Sequence, residues 1–202
     1  MKVVILAAGR GTRLGSLTKT SPKCLLDIDD TNILSIQIKI FLKNNITEIY
    51  VVTGFCEDKI QSDKIIKINN IEYEDTNMIY SLMQAMPNIM NDDVIISYGD
   101  IIFTDEVLKS LLANNDSNLV VSDIHWKNYW KTRYNTTNFD IESFKVENKI
   151  ISDIGKDCKD DSDIDGRYIG LMKFSASTLT KINEIWDRDI GQEDENWLTY
   201  PR

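Results

Sequence analysis

The chain has 202 residues, 42% hydrophobic and 27% charged, with nine Gly and three Pro, which is a globular composition rather than a disordered or fibrous one. Thirty-two acidic and 23 basic side chains give a formal charge of −9, which disfavours nucleic acid and anionic membranes as partners. Cys24, Cys56 and Cys158 form no C-x-x-C pair, so they predict reduced thiols in a cytoplasmic protein rather than disulfides or a zinc site.

Short β-branched runs alternate with amphipathic stretches, which indicates an α/β layered domain. The first apolar run stops at Gly9, too early for a signal peptide or a membrane span. The predicted strands cover 3–6, 48–53, 94–98, 118–124 and 168–174, with two more within 141–154 about a turn at 147–149. The predicted helices cover 33–43, 78–86 with Pro87 as the stop, 106–113, and 175–186 with Ser175 or Ser177 as the cap.

Two further expectations concern organisation. No repeat or low-complexity linker marks a boundary, so we expect a single domain over residues 1–202. The Asp-rich segment 157–165 does not fit a calcium-binding loop, because it lacks the glycine at the sixth position and the Glu at the twelfth. We expect it to be a solvated, mobile loop.

The most informative segment follows the first predicted strand and reads Leu6-Ala7-Ala8-Gly9-Arg10-Gly11-Thr12-Arg13-Leu14. Two glycines one residue apart allow a tight turn whose N–H groups face an anion. It is not a Walker loop, and a dinucleotide fingerprint would need a third glycine where Leu14 stands. A plain turn without a ligand remains the simplest alternative. The cations Arg10, Arg13 and Lys23, the last in Thr20-Ser21-Pro22-Lys23, favour a polyphosphate site.

These residues resemble a family. L-A-A-G-R-G-T-R-L with the later P-K resembles the nucleotidyltransferase (pyrophosphorylase) superfamily, whose signature is L-A-A-G-x-G-[T/S]-R-[L/M] followed by P-K. The segments 77–82 (N-M-I-Y-S-L) and 166–174 (G-R-Y-I-G-L-M-K-F) are similar to those of the CTP:phosphocholine and 2-aminoethylphosphonate cytidylyltransferases. The resemblance covers about residues 1–174. It implies a three-layer, Rossmann-like nucleotidyltransferase fold with a mixed central sheet.

The resemblance also implies an activity. An enzyme of this kind would transfer CMP from CTP to a small acceptor that carries a phosphate or phosphonate, and would release pyrophosphate. Arg13 would hold the triphosphate, Lys23 would neutralise oxygens at the reacting phosphorus, and Asp100 would anchor the cofactor Mg²⁺. The implied nucleotide-binding residues are Leu6, Ala7, Ala8, Gly9, Gly11, Thr12, Ser81 and Gly99.

Two tryptophans are candidates for binding the acceptor. Trp126 and Trp130 are four residues apart, a spacing that fits one buried face of a short helix or a pair of aromatic faces over a cationic head group. We predict a zwitterionic acceptor such as phosphocholine or 2-aminoethylphosphonate. The remaining candidates for acceptor binding are Arg133, Lys156, Tyr168 and Lys173.

Three alternatives stay open. One is a sugar-1-phosphate nucleotidyltransferase. Another is a binding subunit that keeps the fold without turnover, because the C-terminal residues do not align with the family's closing segment. Either that segment is shortened, or Asp194 or Glu195 supplies the second metal ligand in another way. The last, a dinucleotide-dependent oxidoreductase, requires that the missing third glycine be unimportant.

Overall fold

The computed structural model describes residues 1–190, and its internal contacts divide the chain into two compact units. Of the described residues, the first unit contains 1–119 and 171–190, and the second contains 120–170. Both boundaries fall inside strands, at 118–123 and 167–174, rather than in a linker. This explains why the sequence, from which we expected a single domain, shows no change of composition there.

Strands and helices alternate along much of the described chain. The strands are β1 (Lys2–Leu6), β2 (Asp27–Ile28), β3 (Thr31–Asn32), β4 (Ile49–Thr53), β5 (Ile66–Asn69), β6 (Val94–Tyr98), β7 (Asn118–Asp123), β8 (Glu142–Glu147), β9 (Ile150–Asp157) and β10 (Arg167–Phe174). The helices are α1 (Ile33–Lys43), α2 (Met78–Ile89), α3 (Asp105–Ala113), α4 (Trp126–Tyr134) and α5 (Ala176–Ile190), and 3₁₀ turns cover Thr12–Thr18, Lys23–Leu25, Glu57–Lys59 and Asp161–Asp163.

The main sheet has six strands in the order β5-β4-β1-β6-β10-β7. β1 lies parallel to β4 and to β6, β4 lies parallel to β5, and β10 runs antiparallel to β6. The sheet is therefore mixed, as expected. In the register, Leu6 lies opposite Val52 of β4 and Tyr98 of β6. The carboxyl ends of these three central strands thus meet at one edge, where α/β folds bind ligands.

The helices of the first unit lie on both faces of this sheet. Alternate positions of the central strands, such as Val4, Val52 and Ile96, pack in one apolar cluster with residues of α2 and α5. On the opposite face, the Ser97 hydroxyl donates to Gln37 of α1 over 2.8 Å. Because successive residues of a strand point to opposite faces, α1 and α2 must lie on different sides of the sheet. The resulting three layers confirm the predicted fold class.

Helix α2 does not stop at Pro87 as expected. It continues to Ile89, which is completely buried in the apolar cluster of the first unit. Proline in the last turn removes only one hydrogen bond of the helix, and burial of Ile89 outweighs that loss. Helix α5 also extends beyond its predicted end at residue 186, and Ser175 accepts a hydrogen bond from the backbone of Thr178 at its start.

The second unit has its own core beneath the β8–β9 hairpin. The turn of this hairpin is the predicted one, and Asn148 and Lys149 both have positive φ, as a tight hairpin turn requires. The Asp-rich segment is not a free loop. Ile164 is buried against Phe144, and Asp161 and Asp163 pair with lysines. Most residues of the segment are exposed, as expected, while buried Ile164 and the two ion pairs attach it to the rest of the second unit.

Among residues 1–190, no helix combines the length and the apolar character needed to cross a bilayer.

Candidate active site

The loop after β1 is shaped by its two glycines. Gly11 has φ +69°, the left-handed region in which a side chain is strained, and its carbonyl accepts hydrogen bonds from Leu14 N (3.0 Å) and from the Thr18 hydroxyl (2.8 Å). Gly9 is exposed and nothing lies within 4 Å of where its Cβ would be. The N–H groups of Gly9 and Arg10 have no hydrogen-bond partner among residues 1–190. The loop thus presents backbone donors to solvent beside the strand ends.

The start of the loop is tied to neighbouring strands. Ala7 N donates to the Val52 carbonyl at 2.9 Å, which continues the ladder one residue past β1, and the Ala8 carbonyl accepts from Phe55 N at 3.0 Å. Ala7 and Ala8 are both buried. These two alanines position the loop. Its solvent-exposed part begins at Gly9 and includes Thr12.

Lys23 and Asp100 form an ion pair at this edge, and each side chain is 34% exposed. Lys23 follows Pro22 in a 3₁₀ turn closed by a bond from Leu25 N to the Pro22 carbonyl at 3.0 Å. A Cβ on Gly11 would lie 3.3 Å from the Cβ of Lys23, so the lysine stem packs against the glycine loop. The structure therefore brings the loop, the lysine of the P-K motif and the strand-end aspartate together.

Gly99 is required by close approach rather than by its φ angle. Its N–H donates to the Leu6 carbonyl at 2.8 Å, and an added Cβ would lie 2.9 Å from both that oxygen and the Cβ of Ala7. Only glycine lets the turn that carries Asp100 lie so close to the end of β1.

The other predicted cations of the loop are accessible. Arg13 is exposed and pairs with no carboxylate among the described residues. Arg10 is also exposed, and its guanidinium lies 5.1 Å from the centre of the Phe55 ring. Cys24, next to Lys23, is 2% exposed, and burial raises the pKa of its thiol to about 12. Its neutral thiol adds no charge to the site.

Ser81 lies in the first turns of α2 and is buried. Its hydroxyl accepts a hydrogen bond from the Asn70 amide at 3.1 Å, and the same amide also donates to Thr76 at 3.1 Å. The hydroxyl therefore supports the loop between β5 and α2.

Gln37 is the site residue that sequence reasoning missed. It is completely buried, and its amide nitrogen donates to the carbonyls of Tyr98 (2.9 Å) and Ile101 (2.8 Å), on either side of Asp100. A signal was present in the sequence, because Gln37 occupies a position in the apolar stripe formed by Leu34, Ile38 and Phe41. A polar side chain at such a position needs a buried partner.

The tryptophans belong to the core of the second unit. Trp126 is 1% and Trp130 9% exposed, they pack edge to face, and the Trp130 indole N–H donates to the Phe139 carbonyl at 2.7 Å. A cation already covers one face, since the Arg167 guanidinium lies 4.2 Å from the centre of the Trp130 ring. This corrects the expectation that these rings are open to a head group. Packing on a buried helix face accounts for their spacing.

The remaining acceptor candidates differ in accessibility. The Lys173 amine is buried and donates to the Asn114 carbonyl at 2.6 Å, so the expectation that it binds acceptor phosphate is corrected. In the second unit, the Lys156 amine pairs with Asp153 at 2.5 Å, and the exposed Arg133 lies 4.8 Å from the centre of the Tyr134 ring. Tyr168 is half-buried against the tryptophan core.

The residues at this site fit a magnesium ion held by Asp100 together with substrate phosphates. Among residues 1–190 no three His, Cys, Asp or Glu side chains cluster as a complete metal site. Asp100 nevertheless offers a partly exposed carboxylate, and Mg²⁺ is often held by one or two carboxylates together with substrate phosphates and water. Asp194 and Glu195, the candidates for a second ligand, lie outside the described residues.

Comparison with known proteins identifies a family and similar enzymes. Residues 3–134 match the family of MobA-like NTP transferase domains. The chain is 31% identical over 210 aligned positions to a CTP:phosphoglutamine cytidylyltransferase of Campylobacter jejuni, covering 98% of this chain and 83% of that protein. It is 31% identical over 108 positions to a 2-aminoethylphosphonate cytidylyltransferase of Lancefieldella rimae, covering 51% of this chain and 44% of that protein.

The fold has solved counterparts. The structure of the CTP:phosphocholine cytidylyltransferase of Streptococcus pneumoniae superposes with a TM-score of 0.69 at 23% identity, covering 97% of this chain and 81% of that one. A glucose-1-phosphate thymidylyltransferase structure from Bacillus anthracis gives a TM-score of 0.72 at 19% identity, covering 92% of this chain and 75% of that one.

Proposed function

Because the chain belongs to the family of MobA-like NTP transferase domains, it is a nucleotidyltransferase, and we propose that it transfers CMP from CTP to a small phosphorylated acceptor. The observation that carries the proposal is the Lys23–Asp100 pair beside the glycine loop, at the carboxyl ends of β1 and β6. The cytidylyltransferase relatives support CTP as the donor.

In the proposed reaction, an oxygen of the acceptor phosphate or phosphonate attacks the α-phosphorus of CTP. The bond between the α-phosphorus and the oxygen that bridges it to the β-phosphorus breaks, and pyrophosphate leaves. No protein nucleophile is needed, so the chain contributes position and charge. Arg13 and the N–H groups of Gly9 and Arg10 bind triphosphate oxygens. Lys23 stabilises the negative charge that develops during transfer.

The ion pair explains how the site is kept ready. Without nucleotide, Lys23 and Asp100 neutralise each other, so neither charge is left uncompensated. An incoming triphosphate offers the lysine a second anion, while the packing of its stem against Gly11 keeps the ammonium beside the loop. Asp100 would hold Mg²⁺, and the bound ion would supply further neutralisation of the phosphates.

The acceptor class is part of the proposal. The acceptors named for the relatives, phosphoglutamine, 2-aminoethylphosphonate and phosphocholine, each join a phosphate or phosphonate to a small nitrogen-containing group. We infer that the acceptor is of this kind, with phosphoglutamine as the first candidate because that relative is similar over nearly the whole chain. Arg133 and Lys156, both exposed, are proposed as acceptor-binding side chains.

The test is pyrophosphate release with CTP and Mg²⁺, with and without each acceptor. We expect release only when both substrates are present, and a higher kcat/KM for phosphoglutamine, phosphocholine or 2-aminoethylphosphonate than for glucose 1-phosphate. A preference for the sugar would refute the acceptor class and leave nucleotidyl transfer standing. Absence of release with every acceptor, while CTP still binds, would favour a binding subunit instead.

A further inference from the structure

The turn that carries Asp100 is fastened on both sides. On one side, Gly99 N donates to the end of β1 at 2.8 Å. On the other, the Gln37 amide reaches from α1 and bonds to the carbonyls of Tyr98 and Ile101 at 2.9 and 2.8 Å. One side chain therefore bridges the residues that flank Gly99 and Asp100.

The amide of Gln37 is held in a single orientation. Both of its N–H donors are used, and its oxygen accepts from the Ser97 hydroxyl at 2.8 Å. Gln37 and Ser97 are both completely buried. Reversing the amide would place its oxygen against two carbonyl oxygens, which leaves three buried acceptors without a donor. The bridge thus has a fixed length and direction.

Resting on the proposed function, we propose that Gln37 is a positioning residue that sets the place of the Asp100 carboxylate for metal and triphosphate. It touches neither substrate nor metal, and it acts through the backbone on either side of Asp100. The consequence is a specific kinetic pattern. Loss of the bridge should weaken the use of Mg²⁺ more than it weakens the fold.

The test uses Gln37→Met, which keeps the chain length and removes every hydrogen bond of the amide. The control is Asn44→Ala, at the end of the same helix, which also removes two side-chain bonds, to Ile40 and Asp105, but none to the residues that flank Asp100. We expect Gln37→Met to raise the half-saturating Mg²⁺ concentration about tenfold and to lower kcat about tenfold, as loss of supporting contacts around a metal ligand commonly does. Asn44→Ala should change each by less than about twofold.

A second readout is the binding of Mn²⁺ in the presence of CTP. It is measured as the decrease of the free Mn²⁺ signal in electron paramagnetic resonance. Weaker binding to Gln37→Met than to Asn44→Ala at matched folded fraction supports the positioning role. If Gln37→Met does not fold, Ser97→Ala, which removes only the hydroxyl that orients the amide, should shift both readouts in the same direction by a smaller factor.

Unchanged Mg²⁺ dependence and unchanged Mn²⁺ binding in a folded Gln37 variant would overturn the inference while leaving the proposed function intact. If the parent protein shows no transfer at all, the proposed function fails, and the Mn²⁺ measurement alone then decides whether Gln37 positions Asp100. Failure of the parent itself to bind Mn²⁺ with CTP would overturn both.

Discussion

Replacing Lys23 with alanine separates catalysis from stability. Both members of the Lys23–Asp100 pair are one-third exposed, so solvent screens their attraction, and loss of the pair should cost less than about 1 kcal/mol of unfolding free energy. The transfer rate should respond far more. A pre-placed cation at the reacting phosphates contributes on the order of 3 kcal/mol to the transition state, so kcat/KM should fall about a hundredfold.

The matched control is Lys19→Ala. Lys19 is exposed in the same segment and pairs with no carboxylate among the described residues. Both variants are compared by pyrophosphate release with CTP and phosphoglutamine, and by urea unfolding. Lys19→Ala should match the parent in both measurements. A Lys23→Ala variant that turns over within a few-fold of the parent, or that loses activity only because it unfolds, would refute the assigned role of this lysine.

Four other substitutions test separate features of the site and the fold. Asp100→Asn should nearly abolish turnover and flatten its dependence on Mg²⁺, and an unchanged titration curve would contradict the metal assignment. Gly99→Ala should lower the unfolding free energy by about 1–3 kcal/mol, because its Cβ meets backbone at 2.9 Å, and urea unfolding measures this. Trp130→Ala should cost about 3–5 kcal/mol as a core residue, whereas an acceptor-binding role would raise the acceptor KM without that loss. Hydrogen bonds from Lys109 and Lys43 lower the pKa of Asp105 in the folded protein. The ionised carboxylate therefore stabilises the fold above the ordinary carboxyl pKa, and this stabilisation is lost as the pH falls below that value. In Asp105→Asn the unfolding free energy should therefore decrease less steeply below about pH 4 than in the parent.

Much of the fold could be predicted from local pattern. The strands 94–98 and 118–123 contain continuous apolar runs, and the helix 33–43 has apolar residues at helical spacing. Their observed bounds agree with the prediction to within a residue. β5 has no such pattern. Its four residues are mostly exposed, so its pairing with β4 comes from its place at the sheet edge rather than from a buried face.

The site was predictable to the extent that its residues are adjacent in sequence. The glycine loop and the P-K pair form motifs, and their meeting with Asp100 follows from the ends of parallel strands. Gln37 acts through hydrogen bonds to residues about 60 positions away, which no local pattern encodes. The spacing of Trp126 and Trp130 could not distinguish a core from a ligand site, because both use aromatic faces at helical spacing.

The central claim is that CMP becomes joined to the phosphate of an acceptor. Phosphorus-31 nuclear magnetic resonance of a reaction with CTP, Mg²⁺ and phosphoglutamine measures substrates and products together. We predict that pyrophosphate and a new diphosphate-linked cytidine product appear in equal amounts as CTP and acceptor disappear. Pyrophosphate formed with free CMP and unchanged acceptor, or no reaction with any phosphorylated or phosphonate acceptor, would contradict it.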